Sequence, residues 1–237
     1  VMYGLYGHLL AKGQIAYLNA QMDIPFIGIY PEIYHGNEMG ADVVVRYILN
    51  KPGVMATYGV PGPSSFDSSD KIYVFSKIYD TFNSFDDKIM FLPILNLNLF
   101  KDQGKKRKGG CVFVGKGKDK DTKETLGLTR ITRDLALDQA GLANFLNIHD
   151  VMYSFENPTA MNEIARLCGC RVVFVKERAN LIYSERELEK LYEPGMYGVG
   201  FGRIPEFDSA KFRKHYVGLV DKFSKKLDRF ISETQSD

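Results

Sequence analysis

Between Cys111 and Val175 the chain repeats one pattern: a short apolar run of strand length, then a longer stretch with helical spacing. Cys111 to Val114 (CVFV), Asp150 to Phe155 (DVMYSF) and Arg171 to Val175 (RVVFV) read as strands. Leu135 to Leu146 and Thr159 to Cys168 read as helices, the second with Gly169 as its C-cap. Strands separated by helices cannot be joined by tight hairpins; they pair in parallel and the helices cover the sheet. The pattern therefore predicts an α/β fold. A sparser version opens the chain, with strands at Ile24 to Tyr30, Lys71 to Ser76 and Lys88 to Leu92, and a helix at Gly40 to Leu49. Gly59 to Ser69 (GVPGPSSFDSS) is a loop by its Pro, Gly and Ser content. The first half is an abbreviated α/β domain.

The 237 residues are 45% hydrophobic and 25% charged, which excludes disorder and collagen-like repeats and provides for two modest cores. A net charge of +2 argues against nucleic-acid binding through a basic surface. No apolar run reaches the ~18–20 residues of a membrane span, and no leader pattern is visible. Three cysteines make no disulfide framework and fit a reducing, cytoplasmic compartment. The abrupt start at Val1 suggests a domain cut from a longer polypeptide. The polar, basic stretch Lys101 to Gly110 (KDQGKKRKGG) separates the halves, so the expected division is 1–100, 101–205 and a tail, 206–237. In that tail Phe212, Tyr216, Leu219, Phe223, Leu227 and Phe230 recur at helical spacing, with the lysines mainly elsewhere and Asp208 or Ser209 as cap. Such a helix docks its apolar stripe on a domain or lies on a membrane surface. The run Lys105 to Lys108 reads as a solvated linker, with contact to acidic lipid or phosphate, and hence a peripheral membrane location, as the other reading.

Chemistry-bearing residues cluster after the strands. Gly115-Lys116-Gly117-Lys118 follows CVFV directly, and a glycine turn at the end of a parallel strand lets backbone amides approach phosphate oxygens. It is no Walker loop, and the dinucleotide fingerprint fails because its third glycine would fall on Lys120. An ordinary flexible turn is the plain alternative. Asp119 and Asp121 form an Asp-x-Asp, but the surrounding lysines favour a solvated loop over a metal site. Ser154, Glu156, Asn157, Pro158 and Thr159 lie where a strand passes into a helix, and Glu163 lies within that helix. Polar side chains there face the crevice where α/β sheets bind ligands; the alternative is simple capping by Asn157 and an exposed Glu163. His35, in the polar loop with Glu32 and Asn37, has the chemistry to orient or deprotonate a hydroxyl, as has His8. His149 and His215 look structural, and Cys168 and Cys170 lack zinc-like partners.

The strand, polar cluster, Glu-bearing helix, Cys-Gly-Cys turn and VVFV strand together resemble the donor-binding half of GT-B glycosyltransferases. The resemblance is to the group 4-like branch that includes bacterial cell-surface rhamnosyltransferases. Tyr30 to Gly53 (YPEIYHGNEMGADVVVRYILNKPG) resembles the amino-terminal domain of the same branch. That resemblance implies two Rossmann-like domains and transfer of a sugar from a nucleoside diphosphate donor to a glycan hydroxyl, with no metal or other cofactor. It implies a UDP or dTDP donor, a deoxyhexose such as rhamnose, and retention at the anomeric carbon. Carried onto this chain, Gly115, Lys116, Gly117 and Lys118 hold the diphosphate, Glu156 meets the sugar hydroxyls, and Glu163 meets the ribose. Backbone around Ser154 and Asn157 to Thr159 lies beside sugar and phosphate, His8, Glu32, His35 and Asn37 form the acceptor side, and the tail helix crosses back towards the first domain. The chain departs from the family in having six residues, not seven, between its two acids. Competing readings are a nucleotide-sugar epimerase, a non-catalytic nucleotide- or glycan-binding module, and, last, a metal-dependent GT-A enzyme.

Overall fold

The structure, a computed structural model, describes residues 25–53, 65–80, 88–92, 94–115, 121–157, 159–175, 180–181, 184–187 and 197–235. In chain order its elements are β1 (Ile27–Pro31), β2 (Val43–Ile48), β3 (Lys71–Val74), a 3-10 turn (Lys77–Tyr79), β4 (Gly110–Phe113), β5 (Thr129–Arg130), α1 (Arg133–Leu137), α2 (Gln139–Asn147), β6 (Val151–Ser154), β7 (Glu156–Asn157), α3 (Ala160–Leu167), β8 (Arg171–Phe174), β9 (Asn180–Leu181), β10 (Val199–Phe201) and α4 (Ser209–Gln235). The chain divides into two units, one of residues 1–91 with 224–237, the other of residues 92–223. It is a mixed α/β protein whose described residues form two larger parallel sheets and a separate two-stranded parallel pair.

In the first unit β1, β2 and β3 pair in parallel in that order, and Ile89 adds a single parallel bridge to Val74 where a full strand was expected. The expected helix at Gly40 to Leu49 is instead β2. Ala41, Val45 and Ile48 recur at helical spacing, but Val43, Val44 and Val45 are β-branched and stiff at χ1, which favours the pleated form. As the central strand β2 is buried on both faces, so Val45, Arg46 and Ile48 are all buried. Arg46 is accommodated by an ion pair to Asp70 (2.6 Å), a hydrogen bond to the Gly36 carbonyl (2.7 Å) and the ring of Tyr30 (4.9 Å). The carboxy-terminal residues of α4 belong to this unit. Lys71 donates to the Glu233 carbonyl, Lys226 to the Ile89 carbonyl, and Phe230 packs edge-on to Tyr73 (4.9 Å). The Glu233 carboxylate accepts from Lys88, Tyr73 Oη (2.5 Å) and Arg229 Nε (2.8 Å). These donors, Lys88 first, hold its carboxyl down at about 2.

The second unit is built on a five-stranded parallel sheet in the order β10-β8-β6-β4-β5, with a separate parallel pair, β7-β9. The single helix expected over Leu135 to Leu146 is broken at Asp138, which leaves helical angles (φ −80°, ψ 86°) and turns its carboxylate onto the Gly141 amide (3.0 Å) to cap α2. α3 is buried from Met161 to Leu167. It packs on β8, and Arg166 lies 4.3 Å from the ring centroid of Phe212 in α4. Of the predicted stripe Phe212, Tyr216 and Leu219 are buried and Phe223, Leu227 and Phe230 half-buried; Asp208 Oδ1 caps the helix by accepting from the amides of Ala210 and Lys211, and Lys214, Lys222 and Lys225 are exposed.

The basic stretch expected as a boundary is docked within the second unit, and the division falls earlier, between Phe91 and Leu92. Asn147 ties the stretch down, donating to the Lys101 carbonyl (3.0 Å) and accepting from the Gln103 amide (2.7 Å). Arg107 pairs with Asp102 and donates to the Cys168 carbonyl, while Lys105, Lys106 and Lys108 stay exposed. Among the described residues no helix is long and apolar enough to cross a membrane.

Candidate functional site at the reversal of the second sheet

From β4 the chain moves outward to β5, then returns past β4 to β6, β8 and β10. In open α/β sheets ligands bind at the carboxyl ends of the strands where the order reverses in this way. Here the reversal lies between β4 and β6. Their register pairs Phe113 with Ser154, and the Phe155 amide donates to the Phe113 carbonyl (2.8 Å), so the residues leaving the two strands lie side by side.

Gly115 follows β4 with φ +53°, a left-handed conformation that an L side chain disfavours. A Cβ there would overlap Glu156 Oε2 and lie 3.1 Å from its Cδ. The Glu156 carboxylate therefore rests against the glycine turn. Its backbone is held in three ways. Ser154 Oγ donates to the Glu156 carbonyl (2.9 Å), Asn162 Nδ2 donates to the same oxygen (3.2 Å), and β7 pairs Glu156 with Asn180. Ser154 and Asn157 are fully buried, and Thr159 caps α3 by accepting from the Met161 amide. Asn162 is 1% exposed, and its Oδ1 has no hydrogen-bond partner among the described residues. The sequence offers little sign of Asn162 beyond an amide one position before Glu163; its role depends on which way the first turn of α3 faces.

Of the expected donor residues, Gly115, Ser154, Glu156, Asn157 and Thr159 thus fall within one strand-end region. Lys116, Gly117, Lys118 and Pro158 lie outside the described residues, as does His8. Glu163 is buried on the side of α3 near Tyr216, so the exposed position considered for it is not the one it takes. Burial of the Tyr216 phenol, and then the Glu163 charge beside it, push the Tyr216 pKa up. Asn157 does not cap α3; Thr159 does.

On the expected acceptor side, Glu32 accepts from the Leu49 amide (3.0 Å), and Asn37 closes its own loop through Tyr30 Oη, the Ala41 amide and the Ala41 carbonyl. Those two side chains organise the loop after β1, and His35 is exposed on it. His149 is structural: its Nδ1 lies 2.7 Å from the Phe145 carbonyl and its ring packs at a tilt against that of Phe145, with centroids 4.2 Å apart. Cys111, Cys168 and Cys170 are free and buried. Burial pushes the Cys168 thiol up to about 12, and a hydrogen bond with Cys111 together with burial raises Cys170, so neither is a nucleophile at neutral pH. Asp121 pairs with Arg130 (3.2 Å), and among the described residues no group of three His, Cys, Asp or Glu is placed to hold a metal.

A cavity of about 240 Å³ in the same unit is lined by Tyr153, Val173, Val175 and Ile204, with Glu124 and Arg203 among its polar lining. Comparisons with protein-family models, with curated proteins and with solved structures find no match for this chain.

Proposed function

We propose that this chain is a metal-independent glycosyltransferase of the GT-B kind, which moves a sugar from a UDP or dTDP donor to a glycan hydroxyl. The observation that carries this reading is the Glu156 carboxylate resting against the positive-φ turn at Gly115, at the reversal point of the second sheet. A glycine turn lets a diphosphate approach the backbone, and a carboxylate beside it accepts hydrogen bonds from sugar hydroxyls. Lys116 and Lys118 follow in the sequence and supply the positive charge that a departing diphosphate requires. The donor sugar is a deoxyhexose such as rhamnose. Transfer at a cytoplasmic membrane surface fits the exposed lysines at 105, 106 and 108.

One observation favours a second reading, a non-catalytic nucleotide- or glycan-binding module. On the acceptor side Glu32 and Asn37 are committed to holding their own loop, which leaves His35 as a candidate base with little around it from that set. An epimerase would instead release an altered sugar without any acceptor.

The test is thermal stabilisation of the chain by a panel of nucleoside diphosphates and their sugars, with and without chelator. A ligand at a hundredfold excess over its dissociation constant adds about 2.7 kcal/mol. Stabilisation by one nucleotide class, indifferent to chelator and weakened by Lys118→Ala and Glu156→Ala, is the expected result. Turnover with a glycan acceptor separates the enzyme from the binding module. A folded sample that no nucleotide stabilises would overturn the donor site and leave a non-catalytic, glycan-binding module as the surviving reading.

A further inference from the structure

The first unit carries a cleft of about 610 Å³ beside the start of β3, lined by Asp70, Lys71, Ile72, Lys88, Ser232 and Glu233. Its charges do not balance. Asp70 is neutralised by the buried Arg46 guanidinium at 2.6 Å, which removes that pair from the count. Glu233 is the remaining carboxylate of the lining, and Lys88 and Arg229 both pair with it. Lys71 adds a third cation. Its ammonium donates to the main-chain carbonyl of Glu233, a neutral group, and no carboxylate among the described residues pairs with it. We propose that this cleft binds a phosphate group, free or carried by a small polar molecule, between Lys71 and Lys88, and that the Glu233 carboxylate is its internal competitor.

Three cations against one carboxylate leave two positive charges, and a phosphate monoester carries close to two negative charges at neutral pH. Both lysines are half-buried, and a charge partly withdrawn from water gains more from a counter-ion than one in bulk solvent. An ammonium group has three donors; Lys71 commits one of them to the carbonyl, so others remain for a ligand. The same surroundings already favour negative charge, since Lys88, Tyr73 and Arg229 hold the Glu233 carboxyl down at about 2. Glu233 is therefore ionised at neutral pH and sits on the Lys88 ammonium as a phosphate oxygen would. It lies in the last turn of α4, and helix ends open at little cost, so a stronger anion can displace it. The cleft is large enough for more than a bare ion, and clefts of this size take small-molecule ligands. Lys71 on a carbonyl of the last helical turn also suits the negative end of the helix, which gives that lysine a purely structural role as the competing account. The proposal lies in the first unit and does not depend on the donor site of the second.

The experiment is calorimetric titration of the full chain with inorganic phosphate and with glucose 6-phosphate, at constant ionic strength set with sodium chloride. Wild type is compared with Lys71→Gln, Lys88→Gln and Glu233→Gln, each checked for folding by circular dichroism. The expected result is that each lysine variant weakens the anion by about tenfold, the loss of one hydrogen bond to a charged group. Glu233→Gln removes the competing charge and should tighten it. A preference for glucose 6-phosphate assigns the site to a carried phosphate, and equal or tighter binding of inorganic phosphate assigns it to the free ion. Melting separates binding from capping: the ligand should raise the melting temperature of wild type and leave that of Lys71→Gln unmoved. A rise of the same size in Lys71→Gln would mean that the lysine only caps α4, and would overturn the proposal. So would a folded wild type that binds neither anion, affinities unchanged in both lysine variants, or weaker binding in folded Glu233→Gln. If Glu233→Gln does not fold, the two lysine variants decide.

Discussion

Gly115→Ala tests the geometry on which the site depends. Gly115 has φ +53°, and an L residue held there costs about 1 to 2 kcal/mol. The new Cβ would also overlap Glu156 Oε2 and lie 3.0 Å from Phe113 Cε1. The carboxylate is the far end of a flexible side chain, so it swings away rather than distorting the strand, at a further cost of about 1 kcal/mol for the interactions it leaves. The total is about 2 to 3 kcal/mol, which for a unit of this size lowers the melting temperature by roughly 6 to 12 °C. The assay is calorimetric melting of wild type, Gly115→Ala, Glu156→Ala and the double variant. Glu156→Ala removes the overlapping atoms, so in its background only the backbone part of the glycine penalty remains, a coupling of about 1 kcal/mol. If Gly115→Ala melts with the wild type, the left-handed turn is refuted. If the two single losses simply add, the carboxylate does not rest on the turn.

Two further outcomes follow from the first unit. Glu233 is held well below its ordinary pKa by Lys88, Tyr73 and Arg229, so its contribution to stability is complete above the unfolded value near 4.5 and is lost as pH falls towards about 2. With a quarter of the side chain exposed, solvent screening brings that contribution to about 1 to 2 kcal/mol; the stability gap between wild type and Glu233→Gln should be largest near neutrality and close in acid, as denaturant titrations across pH would show. Asp70→Asn leaves the Arg46 guanidinium buried without its counter-charge and should cost about 3 to 5 kcal/mol, read as a shifted urea midpoint with unchanged slope.

The second unit was the more legible in sequence because each of its signals is local. CVFV, VMYS and RVVF are short apolar runs bounded by turn residues, Gly169 has the positive φ (82°) of a helix stop, and the α4 stripe needs only its own spacing. The elements that read differently are those decided by distant partners. β2 carries a buried arginine whose counter-ion, Asp70, lies 24 residues away, so nothing near Arg46 marks the segment as an interior strand. The stretch from Lys101 to Gly110 is polar and glycine-rich enough to read as a linker, yet residues far along the chain dock it: Asn147 donates to Lys101 and accepts from Gln103, and the Cys168 carbonyl accepts from Arg107. Asp138 offers both a helix interior and a cap, and only the Gly141 amide beside its carboxylate decides for the cap. At the candidate site, the placement of Gly115, Ser154 and Glu156 at adjoining strand ends was legible because each follows or ends a short apolar run. Asn162 was not, since an amide inside a helix becomes part of a site only through the carbonyl it meets.

Residues 224–237 complete the first unit, whose remaining residues all precede position 92. That unit is therefore discontinuous, and its assembly waits on a closure of long sequence separation: Glu233 meets Tyr73 across 160 residues and Lys88 across 145. On a ribosome, residues 92–223 emerge together and can fold as they appear, while the earlier residues must remain incomplete until the last of α4 is translated. The order of folding then runs against the order of synthesis. Until α4 arrives, Lys88 and Tyr73 lack the Glu233 carboxylate and Lys71 lacks the Glu233 carbonyl, so these bonds of the first unit are the last that the growing chain can close.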